Sequence, residues 1–112
     1  MYIDVHQAFE LYNQAHLAEQ EGKLNLAEVY YLKSWTLFEE AGDSFYVNAA
    51  NALNALAYLR QSRGNYEGAF LSAKTSLQII EAHPDEFTNA EAELIRMRAW
   101  ELVKNLLLYQ ES

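Results

Sequence analysis

The chain has 112 residues, 51% of them hydrophobic, with a single proline, four glycines and no cysteine. This length suits one domain, and the lack of cysteine excludes disulfides, thiolate nucleophiles and cysteine-ligated metal sites. The formal net charge of −8 argues against nucleic-acid binding, which depends on clustered lysine and arginine, and it fits either simple solubility or a basic protein partner.

The start of the chain gives no sign of export or of membrane insertion. Its first residues lack a basic start followed by an apolar run, so we expect no secretory signal. No apolar stretch in the sequence approaches the length that is needed to cross a bilayer. We therefore expect a cytoplasmic protein that does not contact membranes.

The chain repeats itself at an offset of 42 residues. Three matched sets carry the repeat, and they are Ala8, Leu11 and Ala15; Ala50, Leu53 and Ala57; and Ala92, Ile95 and Ala99. Steps of three and four residues place the members of each set on one face of a helix. A single helix pair could not bury such a face alone, so successive pairs are expected to stack on a shared core.

Caps and breaks divide the first repeat into two helices. Asp4 is suited to cap the first helix, and Gly22 interrupts the pattern where that helix would end. Asn25 with Glu28 is typical of a capping box for the second helix, which would run to Gly42.

The second repeat is divided in the same way. Asp43 or Ser44 would open the third helix, and Gly64 would close it. A fourth helix is predicted from near Asn65 to just before Pro84, because the residue before proline is pushed out of the helical region.

A fifth helix ends the chain, and Thr88 with Glu91 is predicted to cap it. Strand-like alternation of apolar and polar residues is missing from the sequence, so we predict an all-α fold of five helices. The predicted units are a first repeat over about 4–42, a second over about 43–84 and a terminal helix over about 88–111.

The segment from Leu53 to Ala69 resembles the core of a tetratricopeptide repeat (TPR), and the segment from Leu11 to Ala27 repeats it more loosely. The spacing of 42 residues resembles that of the kinesin light chain subgroup, which is longer than the usual TPR period. The resemblance implies one TPR-like domain over residues 1–112, with antiparallel helix pairs stacked as a short right-handed solenoid. It also implies an interaction module rather than an enzyme.

In that family the first helix of each repeat lines a concave groove that binds a peptide or a partner's helix. The groove residues that the resemblance implies here are Tyr12, His16, Asn51, Asn54, Tyr58, Gln61, Arg96 and Trp100. The asparagines can pair with a peptide backbone, the aromatic rings supply apolar contact area, and Arg96 can hold a carboxylate. Alternatively, Tyr58 and Trp100 complete the core of the chain itself.

The end of the terminal helix is strongly apolar. This stretch either folds back on the preceding helix or packs against a second chain in a symmetric dimer. The residues that we expect in such a dimer interface are Leu102, Leu106, Leu107 and Tyr109.

No residue pattern indicates catalysis, a metal site or a cofactor. His6 and Glu10 share a helix face, but such solvent-facing pairs are common. The sequence therefore predicts a protein-binding adaptor or scaffold. The alternatives are a structural homo-oligomer that assembles through the terminal helix and, more remotely, a cofactor-binding helical bundle.

Overall fold

The computed structural model describes residues 4–111, except for the side chains of Asp43, Gln110 and Glu111. Within this range the chain is all-α, as predicted, and contains no strand. The five α-helices are α1 (Val5–Gln20), α2 (Leu24–Ala41), α3 (Tyr46–Ser62), α4 (Tyr66–Ala82) and α5 (Ala90–Glu111). Two short 3₁₀ turns, Asp43–Phe45 and Pro84–Glu86, precede α3 and α5.

Several of the predicted helix ends are confirmed. Gly22 and Gly64 follow α1 and α3 with φ angles of 78° and 80°, a region that residues with a Cβ rarely adopt. Asp4 caps α1 by accepting a hydrogen bond of 3.0 Å from the backbone N–H of His6. Asn65 caps α4 in the same manner, accepting from the N–H of Gly68 at 3.0 Å.

The predicted capping box of α2 is wrong. The helix begins at Leu24, and no side chain caps it. The carboxamide oxygen of Asn25 instead accepts a hydrogen bond of 2.8 Å from Arg63, at the end of α3. Glu28 lies 3.0 Å from Arg63 and 3.6 Å from Arg60. These polar side chains join α2 to α3 across the boundary between the repeats.

The caps of α3 and α5 also differ from the prediction. Ser44 lies inside the 3₁₀ turn, and no side chain caps α3 at Phe45. The alternative cap, the side chain of Asp43, lies outside the described residues. At α5 the side chain of Asn89 accepts a hydrogen bond of 2.8 Å from the N–H of Ala92. Asn89 therefore caps α5, one residue after the predicted Thr88.

Each repeat forms a helix pair that is closed by the same hydrogen bond. The Ser34 hydroxyl on α2 donates to the carbonyl oxygen of Ala8 on α1 at 2.9 Å. The Ser76 hydroxyl on α4 donates to the carbonyl oxygen of Ala50 on α3 at 3.1 Å. All four residues are buried, and α2 and α4 also contact the helix that follows them. The packing of adjacent helices is consistent with a helical repeat.

The small residues of the repeat lie in the core. All of Ala8, Ala15, Ala50, Ala57, Ala92 and Ala99 are fully buried. The larger core cluster joins residues of every helix, whereas a smaller one, centred on Tyr31, Leu56 and Leu59, joins α1, α2 and α3. No helix in residues 4–111 combines the length and the apolar character that crossing a membrane would need.

Helix α5 is buried on one face only. In α3 the matched core set is joined by a second buried set, which consists of Ala49, Ala52, Leu56 and Leu59. The residues 42 positions later in α5 are all exposed, and they are Glu91, Leu94, Arg98 and Glu101. The terminal helix therefore packs through one face, which carries Ala92, Ile95, Ala99, Leu102 and Leu106, and it leaves the opposite face exposed.

Candidate functional site

A cleft runs between α1 and α3, with one wall closed by α2 and part of the rim supplied by α5. We call it the groove pocket. Its lining residues are Tyr12, His16, Glu19, Tyr31, Asn51, Asn54, Ala55, Tyr58 and Arg98. It has a volume of about 210 Å³ and is partly open to solvent. Because pockets for drug-sized ligands measure roughly 300–1,000 Å³, a cleft of this size suits a single side chain better than an organic cofactor.

A chain of hydrogen bonds forms one wall of the groove pocket. The buried Tyr31 hydroxyl donates its proton to the carboxylate of Glu19 at 2.9 Å. The same hydroxyl oxygen lies 3.0 Å from Nδ1 of His16. Because a hydroxyl has only one proton, Nδ1 of His16 must be the donor in this second bond. Neutral His16 then has its lone pair on Nε2, where it can accept a hydrogen bond.

Both tyrosine hydroxyls of this wall remain protonated at neutral pH. Burial, together with the hydrogen bond and the negative charge of Glu19, raises the pKa of Tyr31 well above its usual range. Burial also raises the pKa of Tyr12, although its hydrogen bond with Asn51 and the charge of Arg98 act in the opposite direction. These two side chains therefore act in the pocket as neutral hydrogen-bonding groups.

The two asparagines are already engaged within the chain. The Asn51 amide donates to the Tyr12 hydroxyl at 3.0 Å and so links α3 to α1. The Asn54 amide donates to the carbonyl oxygen of Ile95 at 3.0 Å and so links α3 to α5. Asn54 is only 2% exposed, and its carboxamide oxygen has no hydrogen-bond partner in the described part of the chain. Each side chain thus keeps its carboxamide oxygen as an acceptor and one of its two amide hydrogens as a donor, although the oxygen of Asn54 is buried.

Five of the eight expected groove residues line this pocket together, and they are Tyr12, His16, Asn51, Asn54 and Tyr58. Tyr58 is 44% exposed, so it does not simply complete the core. Gln61 is half-buried, lies near the end of α3 and is not part of the pocket lining.

Arg96 and Trp100 lie elsewhere. They line a second cavity of about 300 Å³ between α4 and α5, together with Leu77, Ile80, Glu81, Pro84 and Phe87. Arg96 forms an ion pair with Glu93, with Nε 3.0 Å from one carboxylate oxygen, so its guanidinium is already paired within the chain. This departs from the expected groove because the face of α5 that carries Arg96 and Trp100 is turned toward α4.

The expected dimer residues are divided between the core and the surface. Leu102 and Leu106 are 3% and 0% exposed and pack in the larger core cluster, which excludes them from an interface between folded copies. Tyr109 stacks on Tyr66 of α4 with ring centroids 4.1 Å apart. Of the four residues, Leu107 is 41% exposed and lies outside the core cluster. The end of α5 therefore folds back on the preceding helix, which is one of the two alternatives that the sequence left open.

Four pocket residues were not among the expected site residues, and they are Glu19, Tyr31, Ala55 and Arg98. Glu19 lies three residues after His16, so helical spacing places it on the same face and offered a signal. Tyr31 belongs to the packing face of α2, where sequence alone indicates only burial. Arg98 lies 42 residues after the buried Leu56, so the repeat offset indicated a packing position there rather than a place at the rim of the pocket.

In the described part of the chain, no three or more histidine, aspartate or glutamate side chains come together in a group that could hold a metal ion. Comparisons with known proteins found no matching family model, no similar curated protein and no similar solved structure.

Proposed function

We propose that the chain is a protein-interaction module of the TPR type, forming a right-handed solenoid, and that it captures a peptide or a partner's helix along α1, α3 and α5. The observation that supports this most directly is the groove pocket, where aromatic and amide side chains from two repeats converge. The pocket is too small for most cofactors and large enough for one side chain of a partner.

The chemistry of the pocket favours a partner that supplies hydrogen-bond donors. Within the described residues, the inner wall keeps free acceptors at the second carboxylate oxygen of Glu19, at Nε2 of His16 and at the carboxamide oxygen of Asn51, and free donors at the Tyr12 hydroxyl and at one amide hydrogen of Asn51. Glu19 is the one acidic residue among the described lining residues, so its carboxylate favours a cationic donor. The exposed ring of Tyr58 offers a face over which a cation can lie. A lysine or arginine side chain meets both requirements, and the acidic chain as a whole attracts basic peptides.

Arg98 is the one arginine or lysine among the described lining residues, and it is exposed at the rim. Its guanidinium can bind a carboxylate or a backbone carbonyl of the same peptide. The proposed ligand is therefore a peptide in which a basic residue enters the pocket while an acceptor group beside it meets Arg98.

A selection from random displayed peptides, followed by affinity measurements on the enriched sequences, tests this function. Tyr58→Ala should weaken binding at least about tenfold, because exposed aromatic side chains in grooves are frequent hot spots. Glu19→Gln should remove the preference for lysine or arginine. Asn54→Ala is a poor probe, because it also breaks the hydrogen bond between α3 and α5.

Leu71→Ala is the matched control, since Leu71 is 62% exposed on α4 and lies outside the groove pocket. It should leave the affinity unchanged. Failure to enrich any peptide, or enriched peptides that bind the Tyr58 and Leu71 variants equally well, would remove the groove as the binding site.

A further inference from the structure

Exposed apolar side chains are concentrated on α5, on its outer face and along the edge that borders α4. Besides the stacked Tyr109, five large apolar residues of this helix are 41–69% exposed, and they are Leu94, Met97, Trp100, Leu107 and Leu108. In the described residues, each of the other α-helices carries only one or two. Exposed apolar patches of this kind often mark protein interaction surfaces.

The spacing of these residues is that of a coiled-coil helix. Leu94, Met97, Glu101, Lys104 and Leu108 follow one another in steps of three and four residues, and we call this stripe the α5 seam. Trp100 and Leu107 flank the seam on one side, one heptad apart. All seven side chains are exposed.

We propose that the α5 seam is a homodimerisation surface, on which two copies of this chain pack their α5 helices in antiparallel orientation. The surface shares no residue with the groove pocket, so the inference does not rest on the proposed function. The occupant is identified by the two charges at the centre of the seam.

Glu101 and Lys104 set the requirement that a partner must meet. Neither forms an ion pair within the described part of the chain. Covering them with an apolar surface would bury unpaired charges at a considerable cost. The partner helix must therefore present a base opposite Glu101 and an acid opposite Lys104, with apolar residues on either side.

A second copy meets this requirement in one register. When Met97 of one helix faces Leu108 of the other in antiparallel orientation, Glu101 of each copy faces Lys104 of the second copy. The two-fold axis repeats both contacts, which gives two ion pairs between two apolar layers. In the same register Trp100 of each copy lies beside Leu107 of the other and extends the apolar area.

The neighbouring arrangements are all less favourable. A shift of one heptad in one direction places Lys104 against Leu94 and Glu101 against Met97, and a shift in the other direction places Lys104 against Leu108. A parallel pair aligns Glu101 with Glu101 and Lys104 with Lys104, which is repulsive. The charge pattern therefore selects both the orientation and the register.

The contact extends over about three helical turns, from Met97 to Leu108. An interface of this length falls at the small end of specific protein contacts, so we expect reversible association in the micromolar range. Sedimentation velocity over a concentration series should show the mass rising from 12.9 kDa toward twice that value.

Charge reversal tests the register. Lys104→Glu places two glutamates together on both sides of the axis, and Glu101→Lys places two lysines together, so each should weaken dimerisation at least about tenfold. An equimolar mixture of these two variants should associate again, because the two glutamates of one chain then face the two lysines of the other. The double variant E101K/K104E should form homodimers, since each copy again presents one acid and one base in the matching order.

Lys74→Glu is the matched control, because it makes the same charge change at an exposed site on α4 and should leave dimerisation unchanged. Circular dichroism of each variant should match the parent, since both seam residues are exposed and form no ion pair in the described part of the chain. A parent chain that stays monomeric up to millimolar concentration would overturn the inference. Variants that dimerise as the parent does, or a mixture that fails to associate, would overturn it as well.

Discussion

Helices α3 and α5 carry the same small-residue motif 42 positions apart, yet they are buried in different ways. Helix α3 is enclosed on two faces, because α2 and a few side chains of α1 cover one side and α4 and α5 cover the other. Helix α5 buries only its motif face and leaves Leu94 and Glu101 exposed. The two positions 42 residues earlier, Ala52 and Leu59, are fully buried.

This difference separates two roles of a repeat motif. The set of small residues guarantees one packing face, and every copy of the set uses it. The remaining faces depend on which neighbours a helix has, and in the described residues α5 has fewer of them than α3. The exposed faces of this chain are accordingly where its binding surfaces are proposed.

The largest expected effect comes from truncating a side chain that is buried in α3 while its counterpart in α5 is exposed. Leu59→Ala should lower the free energy of unfolding by about 2–5 kcal/mol, because Leu59 is 1% exposed and packs near Tyr31 and Leu56. Its counterpart on α5, Glu101→Ala, should change it by no more than about 0.5 kcal/mol. Urea denaturation of dilute protein measures both, and similar losses at the two sites would contradict the one-sided burial of α5.

A smaller effect is expected at the start of α5. Asn89→Ala should cost about 1 kcal/mol, within a usual range of about 0.5–2 kcal/mol, because it removes the hydrogen bond to the N–H of Ala92. Amide hydrogen exchange should accelerate in the first turn of α5. It should stay unchanged in the first turn of α3, which has no side-chain cap to lose. Thr88→Ala is the control, and a larger effect there would restore Thr88 as the cap.

The smallest effect tests the equivalence of the two helix pairs. Ser34→Ala and Ser76→Ala should each cost about 0.5–1.5 kcal/mol, because each removes one buried hydrogen bond to a helix carbonyl. Since the two bonds lie in different repeats, the losses should add in the double variant. Thermal unfolding of the three variants provides the measurement, and clearly unequal single losses would show that the pairs are not equivalent.

The prediction of the fold depended on residues whose effect is local. Gly22 and Gly64 end their helices because of their own backbone freedom, and Asp4 and Asn65 cap theirs through adjacent N–H groups. The capping box at Asn25 failed because Arg63, distant in sequence, bonds that side chain instead. Local signals predict helix ends well until a side chain finds a tertiary partner.

The candidate site was partly within reach of the sequence. Tyr12 and His16 share a helix face, as do Asn51, Asn54 and Tyr58, and the two groups line the same pocket. Arg96 was expected beside them, whereas Arg98 takes that place. The two arginines lie about 200° apart around the helix, so the groove arginine is the one on the side of α5 that faces the pocket.

The helix content, the repeat and the buried small residues followed from the sequence alone, because they depend on backbone preferences and on apolar periodicity within one helix. The arrangement of the helices set the place of Arg98 at the groove pocket, the internal hydrogen bonds of Asn51 and Asn54, and the place of Leu102 and Leu106 in the core. Each of these depends on contacts between helices. A periodic pattern specifies which face of a helix is apolar, but the neighbouring helices determine which surface covers it.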